Sequence, residues 1–257
     1  MTDNKQHYNR NFYQGQSNGS YISAKAVIKE LLTIVQPKSV VDVGCGVGTW
    51  LAAFKESSPE VTIQGFDGDY VNKEALWIAP EFFTPANLEQ PLVTNKRYDL
   101  AMSLEVAEHL QNSSSATFVA SLVSLSDVIL FSAAIPWQGG TNHINEQRPE
   151  FWANLFAQHG YVCADIIRQR IWNDESIRWP YRQNALFFVK ATELEKYPLL
   201  AAGAIKTDAT FLYRVHERAF HERSQKAIFL SNNWSIIRYK LFRMKLSVQQ
   251  LLGKKKK

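Results

Sequence analysis

The run Val40-Val41-Asp42-Val43-Gly44-Cys45-Gly46-Val47-Gly48-Thr49-Trp50 constrains this chain more than any other segment. A short apolar stretch from Lys38 to Val43 closes on three glycines at alternate positions, and a helical pattern, TWLAAFKES, begins at once. Glycine is needed where a backbone turns tightly, or where a ligand lies against it with no side chain between. Strand, glycine turn and helix start together are the opening unit of an α/β sheet that takes a ligand at its carboxyl edge. No Lys-Ser or Lys-Thr pair follows the glycines, which separates this turn from a phosphate loop.

The same alternation continues downstream. Residues 22 to 36 repeat apolar positions at helical spacing and stop before Pro37, which predicts a helix leading into the first strand. Val61 to Phe66, residues 97 to 103 and residues 127 to 133 read as three more buried strands, each followed by a helical segment. Phe151 to Tyr161 predicts an amphipathic helix capped by Gly160, and residues 161 to 168 and 184 to 191 predict two late strands. Strands that alternate with helices build a doubly wound, mostly parallel α/β sheet. Near the end the pattern changes: residues 210 to 225 and 235 to 252 read as helical, basic and rich in large apolar side chains. The expected organisation is a polar arm over residues 1–20, a sheet domain over 21–192 and a basic helical extension over 193–257.

Composition narrows the setting. Hydrophobic residues make up 46% of the 257 and charged residues 21%, which suits a packed core and excludes collagen-like and disordered chains. Cys45 and Cys163 make neither a disulfide framework nor a zinc site, so a reducing compartment is expected. The polar start and the lack of an apolar run of membrane-span length point to the cytoplasm. The net charge of +5 is unevenly spread: residues 1–200 hold 16 Lys/Arg and 21 Asp/Glu, a net of −5, while residues 201–257 hold 13 and 3, a net of +10. The body is mildly acidic and the tail is basic.

Asp42 sits inside the end of the first strand, and Asp67 ends the second in GFDGDY. An acidic side chain in that second position can accept both hydroxyls of a ribose. VDVGCGVG, GFDGDY, ANLEQPL and YDLAMSLEVAEHL, in this order and at these separations, resemble the class I S-adenosylmethionine-dependent methyltransferases from about residue 20 to 190. The resemblance implies a Rossmann-like fold with a seven-stranded, mostly parallel sheet, here carrying a C-terminal helical extension. It also implies S-adenosylmethionine as cofactor. Asp42, Gly44, Gly46 and Gly48 would cradle its methionine and ribose, Asp67 would hold the ribose hydroxyls, Asn87 and Leu88 would flank the adenine, and Ser103 would complete the cofactor-binding set. Asn87 stands where Asp is usual, and its amide oxygen can still accept the adenine amino group.

SLEVAEHL follows the fourth strand, at the edge where such a sheet presents its ligand. On a helix, Glu105, Glu108 and His109 stand at i, i+3 and i+4 and project from one face. Two carboxylates and an imidazole form a metal-ligand set, and His143, in the loop after the fifth strand, is the expected further ligand. The run is similar to the metal-binding motif of ubiquinone-biosynthesis O-methyltransferases and small-RNA 2′-O-methyltransferases. That similarity implies a divalent metal, Mg or Mn, on Glu105, Glu108, His109 and His143. The competing reading is a helix start with solvated glutamates and no metal, in which case His143 or His109 is the general base. Glu105, His109 and His143 are the candidate catalytic residues.

Methyl transfer from a sulfonium to oxygen is an in-line displacement that needs alignment and a more nucleophilic acceptor. An O-methyltransferase acting on a small molecule or a saccharide is the expected activity. A nucleic-acid 2′-O-methyltransferase and a non-catalytic S-adenosylmethionine-binding protein are the alternatives. Trp137, Trp152, Trp172, Trp179 and Tyr181, interleaved with Arg168, Arg170, Arg178 and Arg182, suit a flat or sugar-like acceptor. The segment IRWPYRQN resembles methyltransferases of bacterial saccharide and secondary-metabolite modification. In the tail, Ile237, Leu241, Met244, Val248 and Leu251 fall on one side of a helix. A basic amphipathic helix of this kind suits the anionic inner face of a membrane, suits nucleic acid less well, or packs on the domain as an extra helix.

Overall fold

The structure, a computed structural model, describes residues 10–231, 237–238 and 241, with side chains from residue 18 onward. Seven strands form one sheet: β1 (Ser39–Val43), β2 (Thr62–Asp67), β3 (Phe83–Pro85), β4 (Leu100–Leu104), β5 (Val128–Ser132), β6 (Tyr161–Ala164) and β7 (Leu186–Lys190). Their order is β3-β2-β1-β4-β5-β7-β6. The first five run parallel, with Val40 opposite Ile63 on one side and Leu100 on the other. β7 lies antiparallel between β5 and β6, with Ile129 opposite Phe188 and Phe188 opposite Cys163.

Seven helices of the body cover the sheet: α1 (Arg10–Leu31), α2 (Thr49–Ser57), α3 (Ser115–Leu125), α4 (Pro149–Ala157), α5 (Ile167–Ile171), α6 (Trp179–Asn184) and α7 (Pro198–Lys206). The central strands β4, β5 and β7 are apolar on both faces because both are covered, which is why they read as continuous hydrophobic runs. On one face Val40, Leu100, Met102, Leu130 and Phe187 pack with Ile28 and Leu31 of α1 and Phe54 of α2. On the other, Val41, Ala101, Ile129, Phe131 and Phe188 pack with Phe118 and Leu122 of α3 and Phe156 of α4. The rings of Phe156 and Phe188 stack at 4.0 Å.

The residue divisions differ from the expected ones at both ends. Residues 10–20 belong to α1 and are not a polar arm. Their polar composition and two glycines argue against a helix, but α1 is held by its contacts: Ser20 Oγ lies 3.1 Å from Thr49 Oγ1, and Lys25 pairs with Glu56 at 2.6 Å. At the other end, one compact unit runs to Arg214 and a second begins at Val215, so residues 193–214 are part of the body. Leu200 of α7 is fully buried in the first core layer, and Leu212 is buried in the second. The chain around residues 208–213 is not helical as predicted. Asp208 caps a turn at Thr210, and the buried Arg168, paired with Asp165, donates to the carbonyl of Leu212 at 3.0 Å. Tyr213 is held in turn by Glu150, which accepts its N–H at 3.0 Å.

In the second unit residues 217–231 form a helix. Most of the predicted amphipathic segment, including Met244, Val248 and Leu251, lies outside the described residues. No helix among the described residues is long and apolar enough to cross a membrane. Cys45 and Cys163 are both buried and free.

Candidate active site

The chain leaves β1 towards β2 on one side and later returns to β4 on the other, so β1 and β4 flank the point where the winding reverses. A crevice forms there at the carboxyl ends of the strands. In this protein it is a cavity of about 1070 Å³. Its walls are the glycine loop at Gly44, Cys45 and Gly46, the loop around Tyr70 and Asn72, the segment Leu104–Glu105 with His109, and Arg178 and Tyr181 from the start of α6. That volume accommodates a nucleoside-sized ligand together with a second small molecule.

Gly44 and Gly46 have separate reasons for being glycine. Gly44 has φ +88°, and a Cβ there would stand 2.3 Å from Val106 Cγ2. Gly46 has φ +53°, but a Cβ there would meet nothing within 4 Å, because the residue faces the cavity. The first glycine closes the packing beneath the loop, and the second leaves room for a ligand above it. Gly44→Ala is therefore expected to destabilise the fold by about 1–3 kcal/mol, read as a lower urea midpoint. Gly46→Ala should leave the midpoint nearer the wild-type value and act mainly on ligand affinity.

Asp67, at the end of β2, is buried, and both of its carboxylate oxygens are engaged. Oδ2 accepts the Gly46 N–H at 2.6 Å; Oδ1 accepts the Gly68 N–H at 2.6 Å and the Tyr70 hydroxyl at 2.7 Å. The Tyr70 ring lies directly over Gly68. A phenolic hydroxyl thus stands on the carboxylate oxygen expected to receive a ribose.

Asp42 does not line the cavity. Burial, and then the charge of Asp67, push its carboxyl up to about 8. The sign follows from linkage: a carboxyl raised in the folded state favours folding below its ordinary range, and that contribution is lost as the pH climbs through about 8. Asp42→Asn should therefore gain unfolding free energy relative to wild type as the pH is raised from 5 to 8, in urea titrations at each pH. Burial, with Asp42 and Asp67 nearby, also pushes the Cys45 thiol up, which removes it as a nucleophile.

Of the expected cofactor residues Gly44 and Gly46 line the cavity; Asp67 does not, although Tyr70 and Gly46, which bond to it, do, and the others do not either. Leu88 is buried in the second core layer, Ser103 is fully buried with an unpartnered Oγ, and Gly48 only turns the chain into α2. Asn87 is exposed and uses its side-chain oxygen to accept the Glu89 N–H at 3.0 Å.

The acidic histidine run is not on an α-helix. Ala107–His109 form a single 3-10 turn, and Glu105 precedes it in the left-handed region with φ 56°. That conformation is costly for a residue with a side chain and persists where the surroundings fix it. Here the Glu105 N–H donates to Ser132 at 3.0 Å, and the carboxylate accepts Gln138 Nε2 at 2.9 Å and Asn184 Nδ2 at 3.0 Å. Gln183 ties the two amides together through bonds of 3.1 Å to Gln138 and 3.0 Å to Asn184. Gln138, Gln183 and Asn184 are all buried. The sequence reading missed this amide trio. Its signal was a polar Arg-Gln-Asn run set directly against the apolar strand β7, where it must be buried and therefore bonded.

Ligand atoms of Glu108, His109 and His143 lie within 4.8 Å of one another. Glu105, expected in the same set, is outside this group because the amides hold it. The His109 and His143 rings meet edge to face at 4.9 Å. His109 Nδ1 lies 3.3 Å from the Asn142 carbonyl, and His143 Nδ1 lies 3.0 Å from Glu146 Oε1, so each ring is oriented through one nitrogen. Glu146 is itself fixed by the backbone N–H groups of Trp137 and Gly139. Glu108 is fully buried, and neither carboxylate oxygen has a hydrogen-bond partner. Burial and the neighbouring Glu105 charge raise its carboxyl well above the ordinary range, while burial and His143 lower the imidazole of His109. A buried carboxylate facing two oriented imidazoles fits a divalent cation, which would supply the partner Glu108 lacks.

Of the aromatic and arginine residues considered for the acceptor, Arg178 and Tyr181 line the cavity. Trp152 is buried in the core, and Arg168 is consumed by Asp165.

The model of a methyltransferase domain family matches residues 13–166, more than half of the chain. The chain belongs to that family. Among solved structures, an O-methyltransferase family protein from Burkholderia thailandensis is similar at 15% identity and a TM-score of 0.47 over 69% of this chain and 56% of its own. Human N-acetylserotonin methyltransferase in complex with SAM is similar at 16% identity and 0.45, over 67% of this chain and 51% of its own. The methyltransferase domain of bacterial CtHen1-C is similar at 21% identity and 0.47, over 65% of this chain and 96% of its own. The chain thus spans little more than half the length of the first of these proteins. A comparison with curated proteins finds no match.

Proposed function

We propose that the protein transfers a methyl group from S-adenosylmethionine to a hydroxyl oxygen of a small-molecule or saccharide acceptor, beside a divalent cation, Mg or Mn, held by Glu108, His109 and His143. The observation that carries this reading is the orphaned Glu108 carboxylate, set against two imidazoles, one of which, His109, lines the same cavity as the glycine loop. When bound, the cofactor supplies the electrophilic methyl carbon, and the cation makes the acceptor hydroxyl more acidic.

The protein's own residues do the positioning. Gly46 admits the nucleoside against the backbone, and Asp67 accepts the ribose hydroxyls in place of the Tyr70 hydroxyl. Glu105, clamped by Gln138 and Asn184, presents a fixed negative charge in the cavity wall, suited to a cationic ligand group. Trp50 and Tyr181, in edge contact at 5.1 Å, close one side of the cavity with aromatic surface and exclude water there. Burial lowers the His109 imidazole, which favours the neutral form that can ligate the cation through the nitrogen not turned to Asn142.

The test is transfer of labelled methyl from S-adenosylmethionine to a panel of catechols, phenols, sugars and RNA, with and without EDTA. Transfer to a hydroxyl that EDTA abolishes and Mn restores is the expected outcome. Transfer indifferent to EDTA sinks the cation, transfer confined to RNA replaces the acceptor class, and cofactor binding with no transfer to any acceptor leaves a non-catalytic binding protein.

A further inference from the structure

We propose that the exposed helix over residues 217–231 is a docking surface for an anionic lipid bilayer. The helix over residues 217–231 leaves Phe220, Ile228, Phe229 and Leu230 between 53% and 67% exposed, and Ile237 and Leu241 beyond it are also exposed. Exposed large apolar side chains this closely spaced mark a surface that meets something other than water. The sequence extends the pattern: Leu230, Trp234, Ile237, Leu241, Met244, Val248 and Leu251 follow one another at alternating steps of four and three.

Charge decides what covers this surface. Residues 215–257 hold 11 Lys/Arg and 2 Asp/Glu, and no acidic residue follows Glu222. Steps of four and three also suit pairing with a second copy of the chain. In such a pair Lys226, Arg238, Lys240 and Lys245 of a continuous helical repeat would face their own kind across the seam, which disfavours it. A nucleic acid would take the lysines and arginines but has little use for exposed isoleucine and leucine side chains. An anionic bilayer takes both, with apolar side chains entering the acyl boundary and basic side chains reaching the phosphate headgroups along their own methylene stems. This proposal does not depend on the methyl acceptor or on the cation.

The test is co-sedimentation of the full chain with phosphatidylcholine vesicles, with and without phosphatidylglycerol, for wild type and for Phe229→Glu combined with Leu230→Glu. Wild type should partition at least about tenfold more strongly onto the phosphatidylglycerol vesicles, with binding weakened by salt. The double substitution should lose at least about tenfold of that partitioning while its thermal unfolding midpoint stays at the wild-type value. Equal partitioning onto both lipids, or a double variant that binds as wild type does, would overturn the proposal. It is also overturned by binding to polyuridine without binding to vesicles, and by a dimer that the double substitution dissociates while vesicles bind neither protein.

Discussion

Asp67→Ala is expected to raise the dissociation constant for S-adenosylhomocysteine by about 100-fold or more, measured by isothermal titration. Hydrogen bonds to a charged acceptor contribute about 1.5–3 kcal/mol each, so losing two ribose hydroxyls from one carboxylate crosses that threshold. The substitution also frees the N–H groups of Gly46 and Gly68, which Asp67 accepts at 2.6 Å, and so loosens the loop that faces the cavity. Tyr70→Phe should move affinity the other way, by a few-fold. It removes the hydroxyl that occupies Asp67 Oδ1 in the absence of a ribose and keeps the ring over Gly68. Opposite effects from two neighbouring positions are hard to produce by general destabilisation.

The second large effect is expected at Glu108. Glu108→Gln should lower cation-dependent methyl transfer by about 100-fold or more, in keeping with the losses seen when one positioned electrostatic group is removed. Stability should respond differently. Mn at about 100 times its dissociation constant should stabilise wild type by about 2.7 kcal/mol, and the variant should show little of that gain. Without metal the variant should unfold no earlier than wild type, because Glu108 is a buried carboxyl with no hydrogen-bond partner and its ionisation opposes folding. A structural glutamate would behave in reverse, its replacement lowering the unfolding midpoint whether or not Mn was present.

The parts of this molecule that were legible in the sequence are those in which local chemistry and tertiary structure demand the same residues. Val40–Val43 with Gly44 and Gly46 is apolar because both faces of β1 are covered and glycine-rich because the turn needs positive φ, so the strand and the loop could both be read. Short or polar elements were hidden. β3 is three residues long and ends in Pro85, and the start of α1 is polar and carries two glycines, so no apolar repeat marks it as a helix.

At the site three of the four residues named from the sequence, Glu108, His109 and His143, come together, but Glu105 does not, and the geometry could not be read. Glu105, Glu108 and His109 share a face on an ideal helix. The chain instead turns through a left-handed residue, and this sends Glu105 to Gln138 and Asn184, residues distant in sequence. His143 could be proposed from its loop, but its orientation by Glu146 could not. The charge asymmetry was legible as arithmetic. The boundary that separates it from the body was not, because the buried Arg168 ties Leu212 to the core through a single carbonyl.

The proposal places the nucleoside at Asp67, which bonds to the cavity-lining Gly46 and Tyr70, and the cation at Glu108, His109 and His143, of which His109 lines the same cavity. A crystal structure of the protein grown with S-adenosylhomocysteine and Mn, with an anomalous difference map collected to locate the metal, tests it most directly. The expected result is a ribose on Asp67 with the Tyr70 hydroxyl displaced, and an anomalous peak bounded by Glu108, His109 and His143. A nucleoside bound away from Asp67, or a map with no peak among those three side chains at saturating Mn, would contradict it.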